Sequence, residues 1–400
     1  MSRRTSRKRR APQTAMVVVL LLLLLAFFAY RELGGRIPTT SAPGGQPGIP
    51  SAAPGATSSV GGQPGAPTSV PGAASWYELY FTTPKYPDKP EYHHGSLDEK
   101  LVALINTATK TIDLADYDFD LENVANALAQ AVGRGVRVRM VTDTDTLAND
   151  DPKVQKAFEI LKQAKIPIVD DQRPPLMHNK FLVVDNATVW TGSWNFTDGD
   201  TYHLNNNGIK IMSPELAQNY TTEFEKMFVQ HKFGPNKPAG VPHPILTING
   251  VHVENYFAAE DKVASHIIEH LKQAKQSIHF LAFSFTHDGI GDAVIARAKA
   301  GMQVAGIFET TGSETKFSEY GKMKQAGLNV LQDGNPYVMH HKVFIIDGRE
   351  VIFGSFNFSD NANKDNDENL LIVDDPALAQ AFEAEFQRVR EVALNPPKKK

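Results

Sequence analysis

The 400 residues contain no cysteine, which excludes a disulfide framework and a thiolate metal site. Thirteen histidines are present, but no H-E-x-x-H or comparable spacing gathers them, so the expectation is no metal and no cofactor. Residues 37–75 have no charge and few large side chains: 33 of these 39 residues are Gly, Pro, Ser, Ala or Thr, and GGQPG occurs at both 44 and 61. With so little to bury, the segment reads as a disordered linker. Treated as a flexible coil it reaches roughly 35 Å.

What precedes the linker is the opposite. Arg3, Arg4, Arg7, Lys8, Arg9 and Arg10 are followed by sixteen apolar residues from Ala15 to Tyr30. As a helix that run spans about 24 Å, slightly short of a bilayer core. The small-x-small cleavage pattern is missing, because Phe27 stands two before Ala29. Residues 1–36 are therefore expected to be an uncleaved, single-pass membrane anchor, with a cleaved secretory signal as the alternative. Positive charge on the N-terminal side places the bulk of the protein extracytoplasmic. Beyond the anchor the balance turns acidic: residues 37–397 hold 30 Lys or Arg against 44 Asp or Glu. A net charge near −14 repels polyanions, which weighs against a duplex nuclease.

The organising stretch occurs twice. MHNKFLVVDNATVWTGSWNFTD, residues 177–198, aligns without a gap to MHHKVFIIDGREVIFGSFNFSD, residues 339–360, with ten of 22 positions identical. The shared frame is H-x-K-x4-D-x6-G-S-x-N. On a strand, residues i and i+2 share a face, so His178 projects with Lys180, and His340 with Lys342. Asp185-Asn186 and Asp347-Gly348 fall between β-rich runs as hairpin turns. The returning strands end at Ser193 and Asn195, and at Ser355 and Asn357. Each copy thus offers one group able to attack or to shuttle protons, and three donors able to hold an anion.

The rest of the chain is duplicated too. Helix Leu97–Lys110, strand Thr111–Phe119, helix Leu121–Val132, strand Val136–Thr142, helix Val154–Ala164 and strand Ile166–Val169 precede the first motif. Helix Asp261–Lys275, strand Ser277–Phe285, helix Gly291–Lys299, strand Gln303–Phe308, helix Phe317–Ala326 and strand Asn329–Leu331 precede the second. PELAQNYTTEF and PALAQAFEAEF follow the motifs at the same offset of 162 residues. The order predicts two homologous α/β domains built around mixed sheets, over residues 76–235 and 245–395, with the seam in the Pro- and Gly-rich stretch from Phe233 to Pro244.

On the doubled H-x-K-x4-D motif, the chain resembles the phospholipase D superfamily over roughly residues 76 to 392. The resemblance implies a duplicated α-β-α sandwich with both motifs meeting at one active site, so that a monomer is a pseudo-dimer. It implies phosphodiester chemistry through a covalent phosphohistidine, with His178 as nucleophile and His340 as general acid. Lys180 and Lys342 would neutralise the non-bridging oxygens, and Ser193, Asn195, Ser355 and Asn357 would complete the hydrogen bonds. Asp185 and Asp347 would fix their hairpins. Glu368 stands eleven residues after Asn357 and Asn206 eleven after Asn195. The family usually has Glu or Gln there, so Glu368 is expected to ion-pair one imidazole and Asn206 to offer the other only a neutral hydrogen bond. Tyr117, Phe283, Asp143 and Glu309 end strands near the motifs, as pocket lining or as packing and capping residues; His93, His94 and His287 are expected to be solvated. The substrate is expected to be phospholipid. Alternatives are a metal-independent endonuclease, a phosphatidyl transferase and an inactive membrane-tethered binding module.

Overall fold

The computed structural model describes residues 76–398; the expected anchor and linker lie outside them. Among the described residues no helix is long and apolar enough to cross a membrane.

The strand KFLVV, in which the lysine of the first H-x-K is followed by four apolar residues, shows why the sheets form where they do. All five residues are buried, with Phe181 and Val183 in one apolar cluster and Leu182 and Val184 in another. A strand covered on both faces has no polar side to show, hence the unbroken apolar run.

The first half supplies β1 (Tyr77–Phe81), β2 (Thr111–Asp116), β3 (Arg137–Thr142), β4 (Ile168–Asp170), β5 (Lys180–Val184), β6 (Thr188–Gly192), β7 (Leu204–Asn205) and β8 (Asn207–Met212). Seven of these form a mixed sheet in the order β1-β8-β6-β5-β2-β3-β4. β2, β3 and β4 run parallel, joined by crossovers through the helices Glu122–Gly133 and Pro152–Gln163. β5 and β6 form an antiparallel hairpin.

The second half supplies β9 (Ile245–Ile248), β10 (Val251–Ala258), β11 (Ser277–Ala282), β12 (Gln303–Phe308), β13 (Asn329–Gln332), β14 (Val338–Met339), β15 (Lys342–Ile346), β16 (Glu350–Gly354) and β17 (Glu368–Asp374). Its sheet runs β13-β12-β11-β15-β16-β17-β10-β9. That is the order of the first sheet with one strand, β9, added at the edge.

The inner faces of both sheets share one apolar layer with the helices Pro214–Phe228 and Pro376–Leu394. Those helices begin alike, each with proline in the first turn. Ser213 and Asp375 cap them by accepting the N–H groups of Leu216 and Ala377. Tyr220, Phe224 and Phe382 are fully buried there, and truncating such an aromatic to alanine costs about 3–5 kcal/mol. Separate outer layers cover the far face of each sheet.

Predicted helices and strands lie where expected, with ends shifted by a few residues. The strands on one side of each sheet, β1 and β8 in the first and β17, β10 and β9 in the second, were not among those predicted. The stretch expected as a seam is fastened down: buried Lys237 contacts Glu223 and reaches Glu260 (3.3 Å) and Asp367 (2.7 Å).

The halves are also stitched at the motifs. β7 pairs in parallel with β14, and Met177 bridges Asp367. The His178 N–H donates to the Asp367 carbonyl (2.9 Å) and the His340 N–H to the Asn205 carbonyl (3.0 Å). Each H-x-K motif is thus held against the chain of the opposite half.

Candidate active site

Lys180 and Lys342 open β5 and β15, and the aspartates of the two motifs sit past the far ends of those strands. Five residues of strand separate Asp185 from Lys180, about 16 Å. Asp185 and Asn186 (φ 53° and 52°) and Asp347 and Gly348 (φ 54° and 60°) make the tight turns. The Asp185 carboxylate accepts the N–H groups of Thr109 (2.9 Å), Lys110 (2.7 Å) and Thr111 (2.8 Å). Asp347 accepts those of Lys275 (2.8 Å), Gln276 (2.7 Å) and Ser277 (2.9 Å). Burial alone would raise both carboxyls, but the backbone donors outweigh it and hold them below their usual range. These two aspartates build the hairpins and do not reach the imidazoles.

The other motif residues converge. His178 Nδ1 lies 2.7 Å from Glu368 Oε2, and His340 Nδ1 lies 2.9 Å from Asn206 Oδ1. The pairing is crossed, each imidazole being met by a residue of the other half. Neither partner is a surface residue; both are fully buried.

The serines hold these partners. Ser193 donates to Asn206 Oδ1 (2.8 Å) and accepts the Asn207 N–H (3.1 Å). Ser355 donates to Glu368 Oε2 (2.7 Å) and accepts the Asn369 N–H (2.9 Å). A hydroxyl has one proton to give, so the expectation that these serines donate to the phosphodiester is corrected: they brace the residues behind the imidazoles. The preceding glycines follow from the same close approach. A Cβ on Gly192 would lie 2.2 Å from the Asn207 carbonyl oxygen, and one on Gly354 2.3 Å from that of Asn369.

Lys180 and Lys342 are buried, each donating to the carbonyl of its own motif histidine (3.0 and 2.7 Å). Tyr117 and Phe283 serve as walls. The Tyr117 ring lies 5.1 Å from the His178 imidazole and 5.2 Å from the Lys180 ammonium. Phe283 lies 4.6 Å from His340 and 4.7 Å from Lys342. Burial pushes both lysines down; Lys342 goes well below its ordinary value, with the Lys180 charge adding to the effect. Asn195 and Asn357 each carry an amide oxygen without a hydrogen-bond partner. Burial, then the two ammonium groups, drives His178 well below its usual range. His340 falls to about 3, by burial and then Lys342. Burial lifts Glu368 to about 7 against the pull of Lys180.

One residue escaped the sequence reading. Asp200 Oδ1 stands 3.3 Å from His340 Nδ1 and accepts from Asn206 Nδ2 (3.1 Å), Asn195 Nδ2 (3.1 Å) and Asn195 N–H (3.2 Å). The imidazole beside Asn206 therefore does meet a carboxylate, contrary to the neutral environment expected for it. The signal was present at the motif offset: Asp200 aligns with Ala362, within the segment where Asn206 aligns with Glu368.

The remaining candidates have local work. Asp143 caps the helix Thr144–Leu147 and accepts the Met177 N–H (3.0 Å), and burial raises it to about 7. Glu309 caps the helix Thr310–Ser313. His93 stacks on Tyr202 (3.6 Å) and His287 caps the helix Asp288–Lys299, so neither is merely solvated; His94 is exposed.

Known proteins fit this architecture. The family described as Cardiolipin synthase, PLD-like domain matches twice, over residues 101–228 and 267–390. A mitochondrial cardiolipin hydrolase of Chlamydomonas reinhardtii is 34% identical over 125 residues, 31% of this chain and 56% of that protein. A phospholipase D of Rickettsia prowazekii (strain Madrid E) is 30% identical over 140 residues, 35% of this chain and 68% of that protein. The chain thus spans between about half and two thirds of the length of these relatives. The crystal structure of phosphatidylserine synthase from Haemophilus influenzae Rd KW20 superposes with a TM-score of 0.59 at 14% identity, covering 79% of this chain and 87% of that one, a likeness of fold. The two family matches together cover more than half of the sequence, one on each half of the duplicated fold, and the chain belongs to the phospholipase D superfamily.

Proposed function

We propose that the protein is a phospholipase D-type phosphodiesterase that hydrolyses phospholipid through a covalent phosphohistidine. The observation that carries this reading is the pair of buried lysines flanked by two imidazoles. Two like charges withdrawn from water are costly until an anion lies between them. A phosphodiester meets that need, its non-bridging oxygens taking the donors that Lys180 and Lys342 do not give to the backbone. Asn195 commits its amide nitrogen to Asp200 Oδ1 (3.1 Å), so the anion falls to the lysines and not to that amide.

His178 Nε2 attacks phosphorus, and the bond to the head-group oxygen breaks as His340 Nε2 gives that oxygen its proton. Water then attacks the phosphatidyl-histidine. His340 takes the water proton, and cleavage of the P–N bond frees His178 and releases phosphatidic acid. Throughout, each Nδ1 faces its brace, Glu368 for His178 and Asn206 for His340, which turns both Nε2 atoms toward the pocket. The Lys pair stabilises charge as it grows at phosphorus.

Lipid is preferred to nucleic acid for two reasons. The acidic body repels polyanions, and the relatives include proteins named for cardiolipin hydrolysis and for phospholipase D. An N-terminal anchor over residues 1–36 would present the catalytic body, as a monomeric pseudo-dimer, to a membrane surface on the extracytoplasmic side. The test uses the full chain and its His178→Asn variant in EDTA. Substrates are vesicles of cardiolipin and of phosphatidylcholine and, separately, single-stranded and duplex DNA and RNA. Phosphatidic acid or head-group release by wild type alone supports the reading; cleavage of nucleic acid only replaces it with a nuclease.

A further inference from the structure

The two imidazoles are braced by different means. Behind His178 stands one residue, Glu368, whose partners are Ser355 and Asn366 (Asn366 Nδ2 3.1 Å from Oε1). Behind His340 stand two, Asn206 and Asp200. The Asn206 amide oxygen is directed at His340 Nδ1, while its nitrogen donates to Asp200 Oδ1 (3.1 Å) and to the Asp200 carbonyl (3.2 Å). With nitrogen and oxygen both committed, the amide cannot flip without losing bonds on each side. The second half has Glu368 and Ala362 at the aligned positions, where the first has Asn206 and Asp200. One carboxylate is kept in each half, but at different places in the chain.

We propose that Asp200, acting with Asn206, is the positioning carboxylate of His340, the counterpart of Glu368 for His178. The proposal deepens the phosphodiesterase reading and rests on it for the role of His340. Asp200 fixes the amide so that its oxygen accepts from Nδ1–H, which leaves Nε2 bare in neutral His340. Without Asp200, a flipped amide would offer N–H to Nδ1 and favour the opposite tautomer. The proton would then sit on Nε2, which could not take a proton from water in the second step. The carboxylate 3.3 Å from Nδ1 also favours the imidazolium needed for the first step. A purely structural alternative exists, because Asp200 Oδ2 accepts from Thr197 Oγ1 (3.2 Å), the side chain that caps the helix Asp198–Tyr202.

The experiment compares the full chain with Asp200→Asn, Asp200→Ala and the exchange variant Asp200→Ala/Asn206→Glu. Two readouts are taken: kcat and KM against pH on cardiolipin vesicles, and the His340 tautomer by 15N NMR, with His340→Asn assigning the signal. Asp200→Asn, which keeps the shape and drops the charge, is expected to lower kcat about 100-fold with little change in KM. It should also displace the pH profile and move the His340 proton off Nδ1. The exchange variant, rebuilt on the pattern of the second half, recovers most of the rate lost in Asp200→Ala. Wild-type kcat, pH profile and tautomer in Asp200→Asn overturn the proposal. So does an exchange variant that unfolds at the same temperature as Asp200→Ala and is no faster. If wild type cleaves no lipid, the phospholipid reading fails on its own, and the His340 tautomer still decides the role of Asp200.

Discussion

Laid over one another, the two halves agree in everything that would touch a phosphate and differ in what stands behind it. His, Lys and Asn recur at the same offset, each lysine donating to the carbonyl of its own histidine, and the serines that brace from behind recur with the same short bonds. The acidic groups beside the imidazoles and lysines do not recur. The first half has Asp116 across from Lys180 and Asp200 near His340, where the second has Ala282 across from Lys342 and Ala362. The second half has Glu368 where the first has Asn206. Binding one tetrahedral anion from both sides favours symmetry, whereas a two-step reaction needs one imidazole to attack and the other to carry protons. Changing the residues that meet Nδ1 separates the two roles without moving the groups at phosphorus.

The largest effects should come from the symmetric part. His178→Asn and His340→Asn are each expected to lower turnover about 10,000-fold while leaving the unfolding temperature near wild type, measured on cardiolipin vesicles. A variant that kept much of its rate would show that the halves do not share one site. Next come Lys180→Met and Lys342→Met, each expected to lose about 100- to 1,000-fold in kcat. Because Lys342 is buried and the Lys180 charge presses on it, Lys342→Met should also leave the protein no less stable, whereas Lys180→Met takes a counter-charge from buried Asp116 and Glu368 and should destabilise it.

The asymmetric part should show in pH dependence. Glu368 is lifted from 4.5 to about 7. A raised carboxyl contributes stability that is present below its ordinary value and is lost as pH rises through about 7. Glu368→Gln should therefore lose less stability than wild type between about pH 5 and 8, read from chemical unfolding at each pH. The slope should shrink without vanishing, because Asp143 is raised to about 7 as well. Asp200 has the opposite sign. Burial would raise it, but His340 and the Asn195 N–H outweigh burial and hold it below its usual range. Its contribution is present above the ordinary carboxyl value and is lost only as pH falls below it. Asp200→Asn should leave the neutral-to-alkaline slope unchanged, and identical slopes in the two variants would erase the distinction between the halves.

The smallest effects belong to the hairpin aspartates. Asp185→Ala and Asp347→Ala each leave three backbone N–H groups without their carboxylate, two of the three sites in each case being solvent-exposed. Each is expected to cost about 1–2 kcal/mol of stability with kcat nearly unchanged. A large loss of kcat at normal stability would bring them back into the reaction.

How much was legible follows from what repetition can reveal. Identity between the copies exposed the frame, and the strand period placed His178 with Lys180 and His340 with Lys342. It hid Asp200, since a search for shared positions passes over Asp aligned with Ala. It also misdirected the serines, whose hydroxyl geometry depends on residues 13 positions away that the turn folds back onto them. Among the strands that escaped, β1 (YELYF) is half-buried along its whole length and shows no alternation, and its place is set by pairing with β8 more than by its own pattern. The connection around Lys237 looked like a plain Pro- and Gly-rich seam. That one lysine ties it to Glu223 before the seam and to Glu260 and Asp367 after it is a tertiary fact with no local signature.

The most direct measurement of the shared two-histidine site is trapping of the covalent intermediate. Vesicles containing phospholipid labelled at phosphorus are mixed with wild type, His340→Asn, His178→Asn and the double variant, quenched in alkali to preserve phosphohistidine, and the labelled peptide is sequenced. The account predicts label on His178, strongest in His340→Asn, where no imidazole remains to activate water, and absent whenever His178 is replaced. Label on His340, or turnover by His178→Asn at the wild-type rate, would contradict it.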